Sequence, residues 1–95
     1  MQLIEHCRQS QATFGNEFVE VHLWLDEFAG KPPHGMKHRR FRHHEAGIRE
    51  IEAIWGPLAA QAGRQHVESD LAQEGWKPCD PFPKDERDYV RLGFY

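Results

Sequence analysis

Ninety-five residues, 39% hydrophobic and 28% charged with a net charge of −3, describe one small globular domain. That composition excludes a disordered chain, and no apolar run is long enough to span a membrane, so no membrane partner is expected. The start, Met1-Gln2-Leu3-Ile4-Glu5-His6, lacks the basic region and apolar core of a secretory leader, which makes the cytoplasm the expected compartment.

Taken in chain order, a first helix is expected over residues 2 to 13, ending near Gly15. Asn16 suits the N-cap of a second helix over 17 to 29 that stops at Gly30. Lys31-Pro32-Pro33-His34-Gly35 reads as a loop, with His34 solvated. A third, longer helix is expected from Met36 to Trp55, stopped by Gly56-Pro57. Residues 58 to 62 are ambiguous, and a fourth helix covers 64 to 74. Pro78, Pro81 and Pro83 make the tail irregular apart from a short helical turn at 84 to 91. The fold class is therefore all-α, a small irregular four-helix bundle. Residues 1–95 form a single domain with its core in 2–74, and 75–95 pack on it as an irregular tail. The β-strand signal is weak throughout, and no internal repeat or low-complexity tract interrupts this organisation. Cys7 and Cys79 form no repeated cysteine pattern, and the sequence leaves open whether they pair.

A chain this small gains from anything that ties its elements together, whether a metal, a partner chain or a homodimer contact. Seven histidines therefore invite attention to where they point. In the second helix Phe18, Val21, Leu25, Phe28 and Ala29 form the inner side, opposite Glu17, Glu20, Trp24 and Glu27; His22 and Asp26 turn with the core. In the third helix Phe41, Ile48, Ile51 and Trp55 define an apolar stripe that contains His44. His43 and Arg40 flank the stripe, and His38 faces the charged side. In the fourth helix His66 and Asp70 edge the face marked by Val67 and Leu71.

The spacing His22-x-x-x-Asp26 thus recurs as His66-x-x-x-Asp70. Residues four apart share one side of a helix, and buried carboxylates carry a large cost unless paired. Either the two pairs satisfy one another in a metal-free network or a cation serves both. The expected metal ligands are His22, Asp26, His44, His66 and Asp70, with His6, His38, Arg40 and His43 as supporting residues. Imidazole and carboxylate without thiolate suit zinc, iron, manganese, cobalt or nickel and favour none of them. An open coordination position would permit hydrolysis through activated water, whereas a closed shell would make the ion structural. No residue is assigned a catalytic role.

Other motifs fail. His44-Glu45-Ala46-Gly47-Ile48 begins like a zinc-protease motif but has Ile48 in place of the second histidine. Glycine-rich phosphate loops and a nucleophile elbow are absent, and Ser10 and Ser69 have no nucleophile setting. Lys31, Lys37, Arg39, Arg40, Arg42 and Arg49 against the single acid Glu45 make the middle of the chain basic. The rival expectation is a metal-free module that uses this third helix to bind a protein or nucleic acid, with Arg39 and Arg42 on phosphates.

Three blocks carry a resemblance: His22-Leu23-Trp24-Leu25-Asp26; His38-Arg39-Arg40-Phe41-Arg42-His43-His44 with Gly47-Ile48; and Gln65-His66-Val67 with Asp70-Leu71. Together they resemble an uncharacterised family of small bacterial and phage proteins, a domain of unknown function, over roughly residues 6 to 71. The resemblance implies a shared histidine-rich site, includes a histidine where His6 stands, and supplies no activity. The chain departs from it after Trp55-Gly56, where the family's longer connection is cut to a few small residues, and again in the tail. Looser likenesses to His-Asp phosphohydrolases and to hemerythrin-like di-iron bundles lack the motif spacing: the chain has neither an adjacent His-Asp pair nor a His-x-x-x-Glu pair.

Overall fold

The computed structural model describes residues 2–29 and 38–93. The proline loop with His34 and the expected start of the third helix at Met36 lie outside these residues. Six helices, and no strand among the described residues, make the fold all-α: α1 (Leu3–Phe14), α2 (Val19–Leu25), α3 (Arg39–Arg42), α4 (Glu45–Trp55), α5 (Pro57–Gln73) and α6 (Glu86–Arg91). No described helix is long and apolar enough to cross a membrane.

α1 ends at Gly15, whose left-handed backbone (φ 75°) lets its N–H close on Gln11. Asn16 does not cap α2. Its side chain accepts from the Phe18 N–H at 2.9 Å, a local turn that holds Phe18 at φ 51° and delays the helix to Val19. A bulky residue is strained in that region; burial of Phe18, edge-on to Phe14, offsets the strain. α2 then runs only to Leu25, shorter than the expected 17 to 29, and Asp26 is its C-cap.

The expected single helix over 36 to 55 is broken. α3 stops at Arg42, His43 and His44 leave helical geometry, and α4 starts afresh at Glu45. His44 supplies the N-cap, its Nδ1 accepting from Gly47 N–H at 3.1 Å. The break is tight: a β-carbon on Gly47 would stand 2.0 Å from the Arg42 carbonyl oxygen, so glycine permits the close approach.

α5 fills both the ambiguous stretch and the expected fourth helix as one element, with Pro57 at its first position. It is the centre of the molecule, packing along α4, α1 and α2. Its first half faces inward with Ala59, Ala60, Ala62 and Gly63, small enough for α4 to lie close; Ile51 reaches to the Gly63 backbone. Its second half buries His66, Val67, Asp70 and Leu71. Val21, Leu25, Ile48, Ile51, Val67 and Leu71 complete the apolar core, each contributing about 1.5–3 kcal/mol by burial.

The tail is tied back at several points. Pro83 and Lys84 carbonyls accept from Glu45 and Ala46 at the start of α4, and Trp76 donates to the Pro81 carbonyl. Asp85 caps α6, which packs on α3 and buries Tyr89 completely. Cys7 is buried, Cys79 is exposed, and both are free thiols.

Candidate metal centre

Four elements deliver polar side chains to the interior beside α5. α1 brings His6 and Ser10, one turn apart on its buried face, and α2 brings His22 with Asp26 at its end. The turn between α3 and α4 brings His43, with His38 at the start of α3. α5 brings His66 and Asp70. His6, Ser10, His22, His43, His66 and Asp70 are all buried, and Asp26 is the half-open member, with 27% of its side chain exposed.

Two groups of donors form around a shared His66: Asp26, His43, His66 and Asp70 on one side, His6, His22 and His66 on the other. In the first, imidazole nitrogen and carboxylate oxygen alternate. His43 Nε2 stands 3.0 Å from Asp70 Oδ2 and 3.4 Å from Asp26 Oδ1. His66 Nε2 stands 3.2 Å and 3.4 Å from the same two oxygens. Metal bonds of about 2.0–2.2 Å place neighbouring ligand atoms about 3.3–3.6 Å apart in a tetrahedron and about 2.8–3.1 Å apart in an octahedron. The His43 and His66 rings meet at 69°, so their nitrogens approach from different directions.

Hydrogen bonding accounts for only part of this arrangement. His43 Nε2 donates to Asp70 and His38 Nε2 to Asp26, at 3.0 and 3.3 Å. His66 Nε2 has carboxylate oxygens within reach but no hydrogen bond of acceptable direction, and neither nitrogen of His6 has one, although His6 Nε2 lies 3.3 Å from Asp70 Oδ1. Buried polar atoms are normally satisfied; His66 Nε2 and His6 Nε2 instead lie 3.2 and 3.3 Å from Asp70 oxygens.

The second group is built differently. Its rings are nearly parallel, at 12° to 19°, with His6 stacked on His66 at 3.6 Å between centroids. His22 Nδ1 lies 2.8 Å from His66 Nδ1, and His22 Nε2 lies 2.7 Å from Ser10 Oγ.

Charge follows geometry. Burial alone would raise Asp26 and Asp70, but the imidazoles crowded against them, His38, His43 and His66 at Asp26 and His43, His6 and His66 at Asp70, hold both carboxyls far below the usual range. Burial pushes His66 down, and the same two carboxylates reverse this and raise it. Burial and the neighbouring His66 and His6 bring His22 down to about 4, leaving it neutral at pH 7.

Of the residues expected as ligands, Asp26, His66 and Asp70 come together. His22 reaches the group only through His66. His44 does not reach it: the break before α4 turns it to cap that helix, and His43 takes the interior position. Arg40, expected as a supporting residue of the site, lies over the Phe41 ring and 3.8 Å from Glu86, outside the donor group. Arg39 takes that role, its guanidinium 3.5 Å from Asp70 and 3.0 Å from Glu74. His38 is buried against Asp26, away from the charged surface expected for it. Ser10 and Arg39 were not anticipated; the four-residue step from His6 to Ser10 was the available signal for the serine. Arg42 also turns inward to its own chain, donating to the Trp24 carbonyl and Glu27 while covering the Trp24 ring at 4.0 Å.

All of these donors fall within residues 1–76, and over that span the chain matches a described family. The chain belongs to the DUF6915 family, a domain of unknown function. The DUF6915 match takes in α1 to α5 and stops before the tail that carries α6 and Tyr89. No curated protein and no solved structure matches the chain.

Proposed function

We propose that this DUF6915 chain binds one divalent transition-metal ion through Asp26, His43, His66 and Asp70. The carrying observation is the ring of alternating nitrogen and oxygen donors, with neighbours 3.0 to 3.4 Å apart. Two imidazoles and two carboxylates suit zinc, manganese, iron, cobalt or nickel. His6 and His38, each 3.3 Å from a carboxylate oxygen, orient Asp70 and Asp26. Arg39 offsets charge beside Asp70.

The partly exposed Asp26 makes its edge the route by which water or a substrate oxygen would reach the ion. An ion held there would supply Lewis acidity and lower the pKa of a bound water, so the chemistry these residues would support is hydrolysis. The chain's own part is to hold the ion and to keep the opposite side, behind His66 and Asp70, dry.

Elemental analysis of untagged protein, followed by titration with zinc and manganese, tests the reading. One ion per chain is expected, with a higher unfolding temperature that chelator reverses, because ligand binding to the folded state stabilises it. Metal content no greater than that of an Asp26→Asn, Asp70→Asn double variant would leave a metal-free hydrogen-bond network in its place.

A further inference from the structure

We infer that His22 is a positioning residue for His66 rather than a metal ligand, and that Ser10 anchors it. The inference rests on the metal reading and specifies how the site is supported. The alternative it excludes is a second ion held by His6, His22 and His66, whose nitrogens also lie within 4.8 Å of one another.

Ring direction separates the two. Lone pairs of imidazole nitrogens lie in the ring plane, and two rings binding one ion must aim them at a common point. His6 faces His66 across a 3.6 Å stack with the ring planes 12° apart, so the in-plane lone pairs of these two rings run alongside one another and do not meet at one ion. His43 and His66, at 69°, have the crossing directions a shared ion requires.

The nitrogens of His22 are also both engaged. With His66 Nε2 on the ion, a neutral His66 carries its proton on Nδ1. The acceptor 2.8 Å away is His22 Nδ1. A neutral His22 that accepts at Nδ1 carries its own proton on Nε2, which donates to Ser10 Oγ at 2.7 Å. Ser10 and His22 are both buried, so water does not compete for these bonds. One tautomer is thereby set along the line Ser10–His22–His66, and the ring of His66 is held with Nε2 toward Asp26 and Asp70. A histidine ligand generally has a partner on its second nitrogen, and losing that partner costs about 10- to 100-fold in affinity; here the partner is another imidazole.

The test uses the full untagged chain, zinc and nitrogen-15 labelling. Long-range proton–nitrogen spectra of the zinc-loaded protein should show His66 Nε2 metal-bound, and His22 as the Nε2–H tautomer with neither nitrogen metal-shifted, at one zinc per chain. His22→Asn, which keeps an acceptor near the Nδ1 position, should stay within a few-fold of wild-type affinity, whereas His22→Phe should lose about 10- to 100-fold. A metal-shifted His22 nitrogen, or two zincs per chain falling to one in His22→Asn, overturns the inference while leaving the first ion in place. A wild-type chain that takes up no metal overturns both. The spectra of the wild type decide the matter even where His22→Phe fails to fold.

Discussion

α2 and α5 carry the same His-x-x-x-Asp spacing and use it in opposite ways. α5 continues as a helix through both residues, so His66 and Asp70 share a face and meet at 3.2 Å, with 2% or less of either side chain exposed. α2 stops at Leu25, and its pair is split: His22 goes to Ser10 and His66, while Asp26 turns from the helix end toward His38, His43 and His66. Four-residue spacing creates a contact only where the helix persists. Where it ends, the same two residues serve two different neighbourhoods.

The largest expected effect comes from setting the two aspartates against each other. Asp70→Asn leaves His6, His43, His66 and Arg39 around a neutral amide in a closed interior, so metal affinity should fall about 100-fold or more and the metal-free fold should lose about 3 kcal/mol. Asp26→Asn should weaken metal binding by a similar factor yet destabilise the fold by only about 1 kcal/mol, since its carboxylate is partly solvated. Denaturant unfolding with chelator present separates the two; equal losses would erase the distinction between a closed and an open member.

The break before α4 can be attacked next. Gly47→Ala drives a β-carbon into the Arg42 carbonyl, and a cost of about 2–3 kcal/mol in thermal or denaturant unfolding is expected. An unchanged unfolding midpoint would mean that α3 and α4 separate easily at the turn that delivers His43.

The α5 side is also sealed by Tyr89, whose hydroxyl burial pushes well above the usual phenol range, with Glu74 adding to the shift. A tyrosine raised in the folded state contributes stability that is fully present below its unfolded pKa of about 10 and declines as pH rises from there toward the folded value. Stability at fixed denaturant should therefore fall as pH rises above about 10, by up to about 1.4 kcal/mol per pH unit from this group, and Tyr89→Phe should remove that component. A slope unaltered in Tyr89→Phe would show that the tail does not close the α5 side.

The smallest effect on stability comes from His44, set against the histidine before it. His44→Ala should cost about 1 kcal/mol through the lost helix cap and leave metal uptake intact. His43→Ala should abolish uptake, read by the same zinc titration. The reverse result would move the site across the α3–α4 turn.

How much of this was legible depends on what each residue needed. The inward direction of His22, Asp26, His66 and Asp70 followed from their place beside Val21, Leu25, Val67 and Leu71, and the all-α class followed from periodicity and helix stops. His43 reads from sequence as a supporting residue rather than a leading ligand because a helical wheel over 36 to 55 assumes one unbroken helix; the break at His43 and His44 turns every later side chain relative to the earlier ones. The first half of α5 was obscure because alanines and a glycine mark its buried face with almost no hydrophobic contrast. Asn16 suits a cap and a local turn equally in the sequence, because both draw on the same side-chain acceptor.

Sequence alone determined the helical class, the apolar faces and the polar residues placed along them, since these depend on spacing within one element. Tertiary structure decided which histidines meet, because that depends on where α2 ends, how α3 turns into α4 and how closely α4 and α1 approach α5. Those are outcomes of packing between segments distant along the chain, and a local pattern contains no term for them.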